Sequence, residues 1–190
     1  MDYKQWKKEF FDSFSGDESV LLNAYESSLK PISAVYAISA DPPTWGHADI
    51  MMRAAKKFDK VYWVIGINPN KTGMFSTAQK IEMMEIYLKH YKLDNVIIQS
   101  VEGSIAKYAQ QQNAAFLIRG LRSSSDYQME FELSVGNRGI NKELETVCMF
   151  TKPHYATISS SIVREIALLG ENISQYVHPR VESLIKNTIK

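Results

Sequence analysis

Cysteine is nearly absent from this sequence, which has only Cys148 among its 190 residues. A single cysteine cannot form a disulfide within the chain, so a disulfide-stabilised secreted domain is excluded and a reducing compartment fits best. Cys148 lies in the apolar run ETVCMF. We expect a buried thiol on a strand there, rather than a redox centre.

Long apolar runs and a large net charge are also missing. No stretch reaches the roughly 20 apolar residues that a membrane-spanning helix needs, and the N-terminal segment MDYKQWKKEFFDSF is charged throughout, unlike a secretion signal. The net charge is +1, so no overall field favours a nucleic acid or an acidic membrane as partner. We expect a cytoplasmic protein whose basic chemistry is local.

What the sequence does contain is a regular alternation of short apolar runs and helix-length segments. The runs are rich in Val, Ile and aromatic residues and nearly continuous, as in strands covered on both faces; they lie at 34–39, 60–67, 95–101, 115–119 and 146–151. Helix-length segments lie at 47–57, 76–90, 103–113 and about 124–141. The pattern predicts an α/β fold, a Rossmann-like, doubly wound, parallel five-stranded sheet with helices on both faces.

The segment DYQMEFELSV, within the last of these helices, fits two structures. Its apolar and polar residues alternate as in a strand, but Tyr127, Phe131 and Val135 would also share one face of a helix. Glu130 and Glu132 are disfavoured in strands, and an aspartate at the start can cap a helix. We therefore interpret this segment as a helix.

Residues 1–30 are predicted to form an N-terminal helical extension to a single α/β domain at 31–190. Two short amphipathic helices are expected, interrupted near SGDES, where Ser15 or Asp17 can cap the second. We find no residues with evident chemistry in this extension.

The stretch ADPPTWGHADIMMRAA, residues 40–55, places His47 directly after Gly46 at the start of a helix that follows the first strand. Ligands of open parallel sheets bind beyond the carboxyl ends of the strands, and a helix N-terminus there offers free N–H groups to an anion. Gly46 would let a phosphate approach the backbone, and His47 can donate a hydrogen bond to it. This stretch alone leaves two readings open, a phosphate site and a tight turn beside a packed histidine. Asp41, before two prolines, is interpreted as a turn residue.

Further cationic and hydroxyl groups follow the other strands. Arg119 and Arg122 flank Gly120 at the end of the fourth strand, where two guanidiniums can bind phosphate oxygens. Lys71, in the loop after the second strand, can add a positive charge, and TISSSIV places three hydroxyls at a predicted helix start, more than N-capping needs. Glu130 could accept hydrogen bonds from a ribose, hold an arginine, or lie on a solvated helix face.

The four residues Thr44-Trp45-Gly46-His47 resemble the T/H-x-G-H signature of the nucleotidyltransferase superfamily. Longer segments resemble bacterial phosphopantetheine adenylyltransferases, in the same order along the chain: FDKV, INPNKTGMF, LIRGLRSSSDYQMEFELSVGNRGINKELETV and ISSSIVREIA. The resemblance extends from Val35 to Ile185, and its most specific part is the Arg-Gly-Leu-Arg block with the Glu and Asn-Arg that follow it.

The resemblance implies transfer of the adenylyl group of ATP to 4′-phosphopantetheine, giving dephospho-coenzyme A and pyrophosphate by direct in-line attack. The implied catalytic residues are His47, Lys71 and Arg119. The implied ATP-binding residues are Ser39, Ala40, His47, Gly120, Leu121, Arg122, Glu130, Tyr155, Ala156, Thr157, Ile158, Ser159, Ser160 and Ser161. The implied acceptor-binding residues are Ser39, Lys71, Ile105 and Arg119.

The resemblance also implies Mg²⁺ accompanying ATP, held mostly by phosphates and water, and a homo-oligomer, hexameric if it follows the family. No protein metal site is predicted, because His90, His154 and His178 lack the spacing of metal ligands. The chain departs from the family at 38–40, where Ile-Ser-Ala replaces Gly-Thr/Ser-Phe, and at 103–105, where Gly-Ser-Ile replaces an Asp-Leu-Met-like element. Two alternatives therefore stay open: adenylyl transfer to another phosphorylated acceptor such as nicotinamide mononucleotide, and a catalytically silent nucleotide-binding regulator.

Overall fold

A computed structural model describes residues 1–70 and 72–189 of the chain. It forms two compact units, a small one over Met1–Pro31 and a larger one that begins at Ile32. Within the described residues, none of the helices combines the length and apolar character that crossing a bilayer requires.

The small unit contains two helices of similar length, α1 (Tyr3–Phe11) and α2 (Glu18–Ser28). Asp17 is the N-cap of α2, and its carboxylate accepts a hydrogen bond from a backbone N–H of the first turn. The ring of Trp6 packs against that of Tyr25, with centroids 5.5 Å apart. The predicted pair of N-terminal helices is therefore present, and of the two candidate caps the structure uses Asp17.

The large unit contains a sheet in which the described residues form five strands, all paired in parallel. The strands are β1 (Ser33–Ile38), β2 (Lys60–Ile67), β3 (Val96–Glu102), β4 (Phe116–Leu121) and β5 (Glu145–Phe150). Their order across the sheet is β3-β2-β1-β4-β5, which confirms the predicted doubly wound fold. The winding direction reverses between β1 and β4, and the crevice at the carboxyl ends of these two strands is where such folds bind ligands.

Helices connect and follow the strands. They are α3 (Trp45–Ala55), α4 (Thr77–Tyr91), α5 (Ile105–Gln111), α6 (Ser124–Ile140), α7 (Ser160–Leu168) and α8 (Pro179–Ile189), with a 3₁₀ turn at Pro153–Tyr155. The ends of α3 to α6 lie within two residues of the predicted ends. The segment DYQMEFELSV belongs to α6, so its interpretation as a helix is confirmed, whereas α8 was not predicted.

The central strands β2, β1 and β4 are largely buried on both faces, and their successive residues point into opposite cores. Trp63 packs with Tyr87 of α4 in the core on one face, while Val64, the next residue along β2, packs in a second core with Ala106 of α5. Full burial of a large apolar side chain contributes about 1.5–3 kcal/mol to stability. The near-continuous apolar strands of the sequence are explained by these two cores.

The expectation of a buried thiol at Cys148 is wrong. Cys148 lies on β5 as predicted, but its side chain is exposed. The physical reason is that β5 is an edge strand with alternating exposure, and Phe150, on the same strand, is 77% exposed. Partial burial and the nearby Glu130 raise the pKa of the Cys148 thiol, so the unreactive protonated form is favoured.

Candidate functional site

A cavity of about 310 Å³, here called the first cavity, opens at the carboxyl ends of β1 and β4. It lies at the point where the winding of the sheet reverses, and the first turns of α3 and α7 contribute to its wall. The predicted site residues that line it are Ser39, His47, Arg119, Gly120, Arg122, Glu130, Tyr155, Ile158, Ser159, Ser160 and Ser161. Segments that are far apart in the sequence thus meet around one space.

Four of the remaining predicted residues are next to lining residues of this cavity in the chain. Ala40 and Leu121 are buried next to lining residues. Ala156 and Thr157 belong to the loop between Tyr155 and Ile158, both of which line the cavity. Ile105 is the first residue of α5 and does not line the first cavity, and Lys71 lies outside the described residues.

His47 is held as a neutral hydrogen-bond donor. Its Nδ1 accepts the backbone N–H of Thr44 at 3.1 Å and lies 3.0 Å from the Thr44 hydroxyl. Since Nδ1 is the acceptor, the hydrogen of the neutral ring must be on Nε2. Burial, with a smaller effect of Arg122, lowers the pKa of His47 to about 4. At neutral pH the ring can therefore offer an Nε2–H group to a ligand without carrying a charge itself.

Arg119 is oriented by a buried carboxylate. Its Nε and Nη2 donate to the two carboxylate oxygens of Glu130 at 2.6 and 2.5 Å, and its Nη1 donates to the carbonyl of Ala37 at 3.1 Å. These bonds use three of the five N–H groups of the guanidinium, so two are left for a ligand in the cavity. Of the three interpretations that the sequence left open for Glu130, the structure shows the one in which it holds an arginine.

Arg122 connects two parts of the cavity wall. Its guanidinium pairs with Asp126 in the first turn of α6, with Nε 3.2 Å from the carboxylate, and its Nη1 donates to the carbonyl of Ile158 at 3.3 Å. Burial acts to raise the pKa of the Asp126 carboxyl, but hydrogen bonds and charge from Arg122 outweigh it, so this pKa is lowered. Asp126 thus remains ionised and fixes Arg122 beside the loop that follows β5.

The three serines at the start of α7 have different partners. Ser159 is the N-cap and accepts the backbone N–H of Ile162 at 3.2 Å. Ser160 donates its hydroxyl to the carbonyl of Pro42 at 2.8 Å, which ties α7 to the turn after β1. Ser161 lies beside them on the cavity wall. One serine therefore serves as an ordinary cap, and the hydroxyl proton of Ser160 is used within the protein. The Ser161 hydroxyl and the free first-turn N–H groups are left for the cavity.

A second cavity, of about 430 Å³, adjoins the first. Ser39, Ser160 and Ser161 line both cavities, so the two spaces meet at these residues. Gly66, at the end of β2, also lines the second cavity, and a Cβ placed on it would lie 4.0 Å from Cδ1 of Ile105. The predicted acceptor residue Ile105 is therefore adjacent to this second space.

Sequence reasoning missed Lys80 and Arg164, which line the second cavity, and gave an incomplete interpretation of Asp41. Rather than only shaping a turn, Asp41 is buried and forms ion pairs with both cations. A signal existed for Arg164, four residues after Ser160 and hence on the same face of a predicted helix. Thr44 was also missed as a partner of His47, although their spacing of three is that of a capping box.

The cavity walls offer few free carboxylates to a metal. Among the residues that the structure describes, no group of three or more His, Cys, Asp and Glu is placed to hold an ion. Asp126 and Glu130, which line the first cavity, are both paired with arginines. Any divalent ion bound here would take most of its ligands from elsewhere, such as phosphate oxygens and water.

The sequence and the fold were compared with those of known proteins. A family model described as cytidylyltransferase-like matches residues 36–166. A phosphopantetheine adenylyltransferase of Heliobacterium modesticaldum is 40% identical over 148 residues, 78% of this chain and 87% of that protein. One of Desulfatibacillum aliphaticivorans is 40% identical over 158 residues, covering 83% and 89%. A solved Plasmodium falciparum nicotinic acid mononucleotide adenylyltransferase, 16% identical, has a TM-score of 0.61 over 83% of this chain and 96% of its own, which shows a shared fold.

Proposed function

The chain belongs to the phosphopantetheine adenylyltransferases of the cytidylyltransferase-like family, and we propose that it transfers the adenylyl group of ATP to 4′-phosphopantetheine. The products would be dephospho-coenzyme A and pyrophosphate, a step of coenzyme A synthesis. The observation that carries the proposal is the first cavity, where His47, Arg119 and Arg122 meet the serines of α7 at the switch point of the sheet. The proposal assigns this activity to residues 31–190 and treats 1–30 as an extension.

The two cavities suit the two substrates. The first, with Arg122 and residues 155–161, would hold ATP, and Arg119, which also lines it, would bind the acceptor phosphate as the resemblance implies. The second, beside Ile105, would hold the arm of the acceptor, and the acceptor phosphate would reach ATP near Ser39, which lines both. Asn68 and Thr72, on either side of Lys71 in the chain, line the second cavity, which supports the role that the resemblance implies for Lys71.

The chemistry requires positioning and charge stabilisation, not a protein nucleophile. An oxygen of the acceptor phosphate would attack the α-phosphorus in line, and the bond to the oxygen of pyrophosphate would break. Negative charge grows on the phosphate oxygens during this step, and preorganised donors lower its barrier. His47 would provide Nε2–H, Arg119 and Arg122 their unpaired N–H groups, and α7 its N-terminal dipole.

Mg²⁺ would accompany ATP in this reaction. The carboxylates that line the first cavity are engaged with arginines, so they are not free to bind the ion directly. Ser39 and the α7 serines would contact it through their hydroxyls or through its bound water. When bound, the ion neutralises part of the triphosphate charge. The residues named above would still orient the phosphates.

We further propose that the enzyme is a homo-oligomer, a hexamer if it follows the family, in the cytoplasm and without a nucleic acid or membrane partner. Support for association comes from α6, where Tyr127, Phe131 and Val135 form an exposed apolar stripe at spacings of four. Phe150 on the edge strand β5 is exposed as well. Contiguous apolar surface of this kind is typical of protein–protein interfaces.

The test is pyrophosphate release from Mg²⁺-ATP with each phosphorylated acceptor supplied in turn. We expect turnover with 4′-phosphopantetheine and little with nicotinamide mononucleotide or nicotinic acid mononucleotide. Preference for a mononucleotide would replace the acceptor in this proposal while retaining the reaction. ATP binding without turnover on any acceptor would instead indicate a nucleotide-binding regulator.

A further inference from the structure

The buried carboxylate of Asp41 connects four segments around the second cavity. It accepts the backbone N–H groups of Met74 and Phe75, both at 3.1 Å, and forms ion pairs with Lys80 at 3.1 Å and Arg164 at 3.3 Å. The backbone carbonyl of Asp41 also accepts a hydrogen bond from Arg164. The turn after β1, the loop after β2 and helices α4 and α7 are thereby joined through one residue.

The packing at this junction is close. A Cβ placed on Gly73 would lie 2.8 Å from Nζ of Lys80 and 3.0 Å from Oδ1 of Asp41. Real Cβ atoms essentially never show a distance of 2.8 Å, and 3.0 Å is closer than nine in ten of their contacts. The loop backbone therefore runs directly against the ion pair, and the position of Gly73 depends on where that pair lies.

The turn that Asp41 holds is conformationally unusual. Ala40 has a φ of 51°, in the left-handed region that costs a non-glycine residue about 1–2 kcal/mol. Such a conformation persists only where its surroundings determine it. The bonds of Asp41, together with the Ser160 hydroxyl on the carbonyl of Pro42, supply that constraint. Ser39, which lines both cavities, directly precedes this strained residue.

The charges at the junction do not cancel. One carboxylate, 11% exposed, faces two cations, Lys80 and Arg164, which are 13% and 28% exposed and line the second cavity. Burial acts to raise the pKa of Asp41, but the backbone and Lys80 hydrogen bonds prevail and it is lowered. The carboxylate is thus ionised at neutral pH, and an excess positive charge is held at the second cavity.

We propose that Asp41 is a positioning residue for adenylyl transfer, acting through Lys80, Arg164 and the 73–75 backbone to fix the wall that the two cavities share. This inference rests on the proposed function. Asp41 itself touches no substrate in this account. It sets the geometry of Ser39 and Ser160, between which the acceptor and ATP would meet.

The primary test is Asp41→Asn, which keeps the shape of the side chain and removes its charge. We expect kcat to fall about 10- to 100-fold, the cost of misplacing reacting groups by about an ångström, while the Kd for Mg²⁺-ATP measured by calorimetry changes less than about threefold. Hydrogen exchange should become faster at the amides of Met74 and Phe75 and at the start of α7. Glu85→Gln is the matched control, the same carboxylate-to-amide change in an exposed pair with Lys89 on the same helix as Lys80.

A second variant, Gly73→Ala, keeps every charge and only displaces the ion pair. Like Asp41→Asn, it is expected to lower kcat and to leave the Kd for Mg²⁺-ATP unchanged. It also keeps the proposal testable should Asp41→Asn fold poorly. If both variants, compared at equal folded fraction, retain kcat within threefold of wild type, Asp41 is only structural and the inference is wrong.

The outcomes separate this inference from the proposed function. Wild-type protein that turns over no acceptor would refute the proposed function. Hydrogen exchange would then test only the structural part of the inference, because faster exchange at Met74 and Phe75 in Asp41→Asn would show that Asp41 orders the 73–75 backbone whatever the activity. Unchanged exchange there would overturn it.

Discussion

Replacing Glu130 by Gln tests how far the first cavity depends on a prearranged arginine. The carboxylate receives both Nε and Nη2 of Arg119, and its side chain is only 7% exposed. In Glu130→Gln one oxygen becomes an NH₂ group that faces another donor, so one strong hydrogen bond and the charge compensation are both lost. Arg119 should then leave its present orientation.

The size of the effect follows from burial. Removing one partner of a fully buried ion pair costs about 3–5 kcal/mol. Arg119 is 24% exposed and keeps its bond to the carbonyl of Ala37, so water can compensate part of the loss. We expect a loss of about 2–3 kcal/mol, which in a domain of this size lowers Tm by about 4–12 °C.

Two measurements check this prediction. Calorimetry gives Tm, and steady-state kinetics give kcat/KM for the acceptor, which should fall about 10- to 100-fold because a substrate-facing guanidinium is misplaced. The control is Glu132→Gln, because Glu132 lies two residues further along α6 and its side chain is exposed. This change should alter the free energy of unfolding by less than about 0.5 kcal/mol. If Glu130→Gln behaves like this control in both measurements, Arg119 does not depend on its partner and our description of the site is wrong.

Three further predictions follow from the same structure. His47→Ala should lower kcat by about two to three powers of ten, the usual cost of one preorganised donor, and a loss below threefold would contradict the role of His47. The pKa of His47 is about 4 in the folded protein and 6.5 ordinarily, so between these pH values the unfolded chain binds more protons than the folded one. The free energy of unfolding should therefore fall as the pH drops from about 6.5 to 4. In pH-dependent denaturation, His47→Gln should make this fall smaller. Phe131→Glu on the apolar stripe of α6 should reduce the molar mass measured by light scattering, whereas an unchanged mass would exclude that surface as an interface.

The layout of the fold could be predicted because it depends on local patterns. Strands covered on both faces must be apolar along their whole length, and helices between them begin at recognisable caps. The glutamates of α6 were enough to choose helix over strand for a segment whose periodicity allowed both. Cys148 was misjudged because an edge strand has the same apolar composition as a central one, and only the strand order shows which is which.

The components of the site could be located more readily than their partners. His47 and the α7 serines follow strand ends and Arg119 lies near the end of β4. All parallel strands end at the same edge, so their meeting in one cavity follows from topology. The pairings of Glu130 with Arg119 and of Asp41 with Lys80 and Arg164 join residues separated by 11 to 123 positions. Pairing at such distances depends on side-chain packing that no local pattern encodes.

These pairings explain how a chain of net charge +1 can be built to hold a polyphosphate. Among the described residues that line the two cavities, four cations, Arg119, Arg122, Lys80 and Arg164, face three carboxylates, Glu130, Asp126 and Asp41. The carboxylates cancel most of the charge, so the walls attract anions weakly at long range. The ion pairs instead fix the orientation of the cations, so that each cation presents its remaining N–H groups at a fixed angle. In-line transfer between two phosphates depends more on that angle than on the total charge, since only donors already in place stabilise the transition state without reorganising.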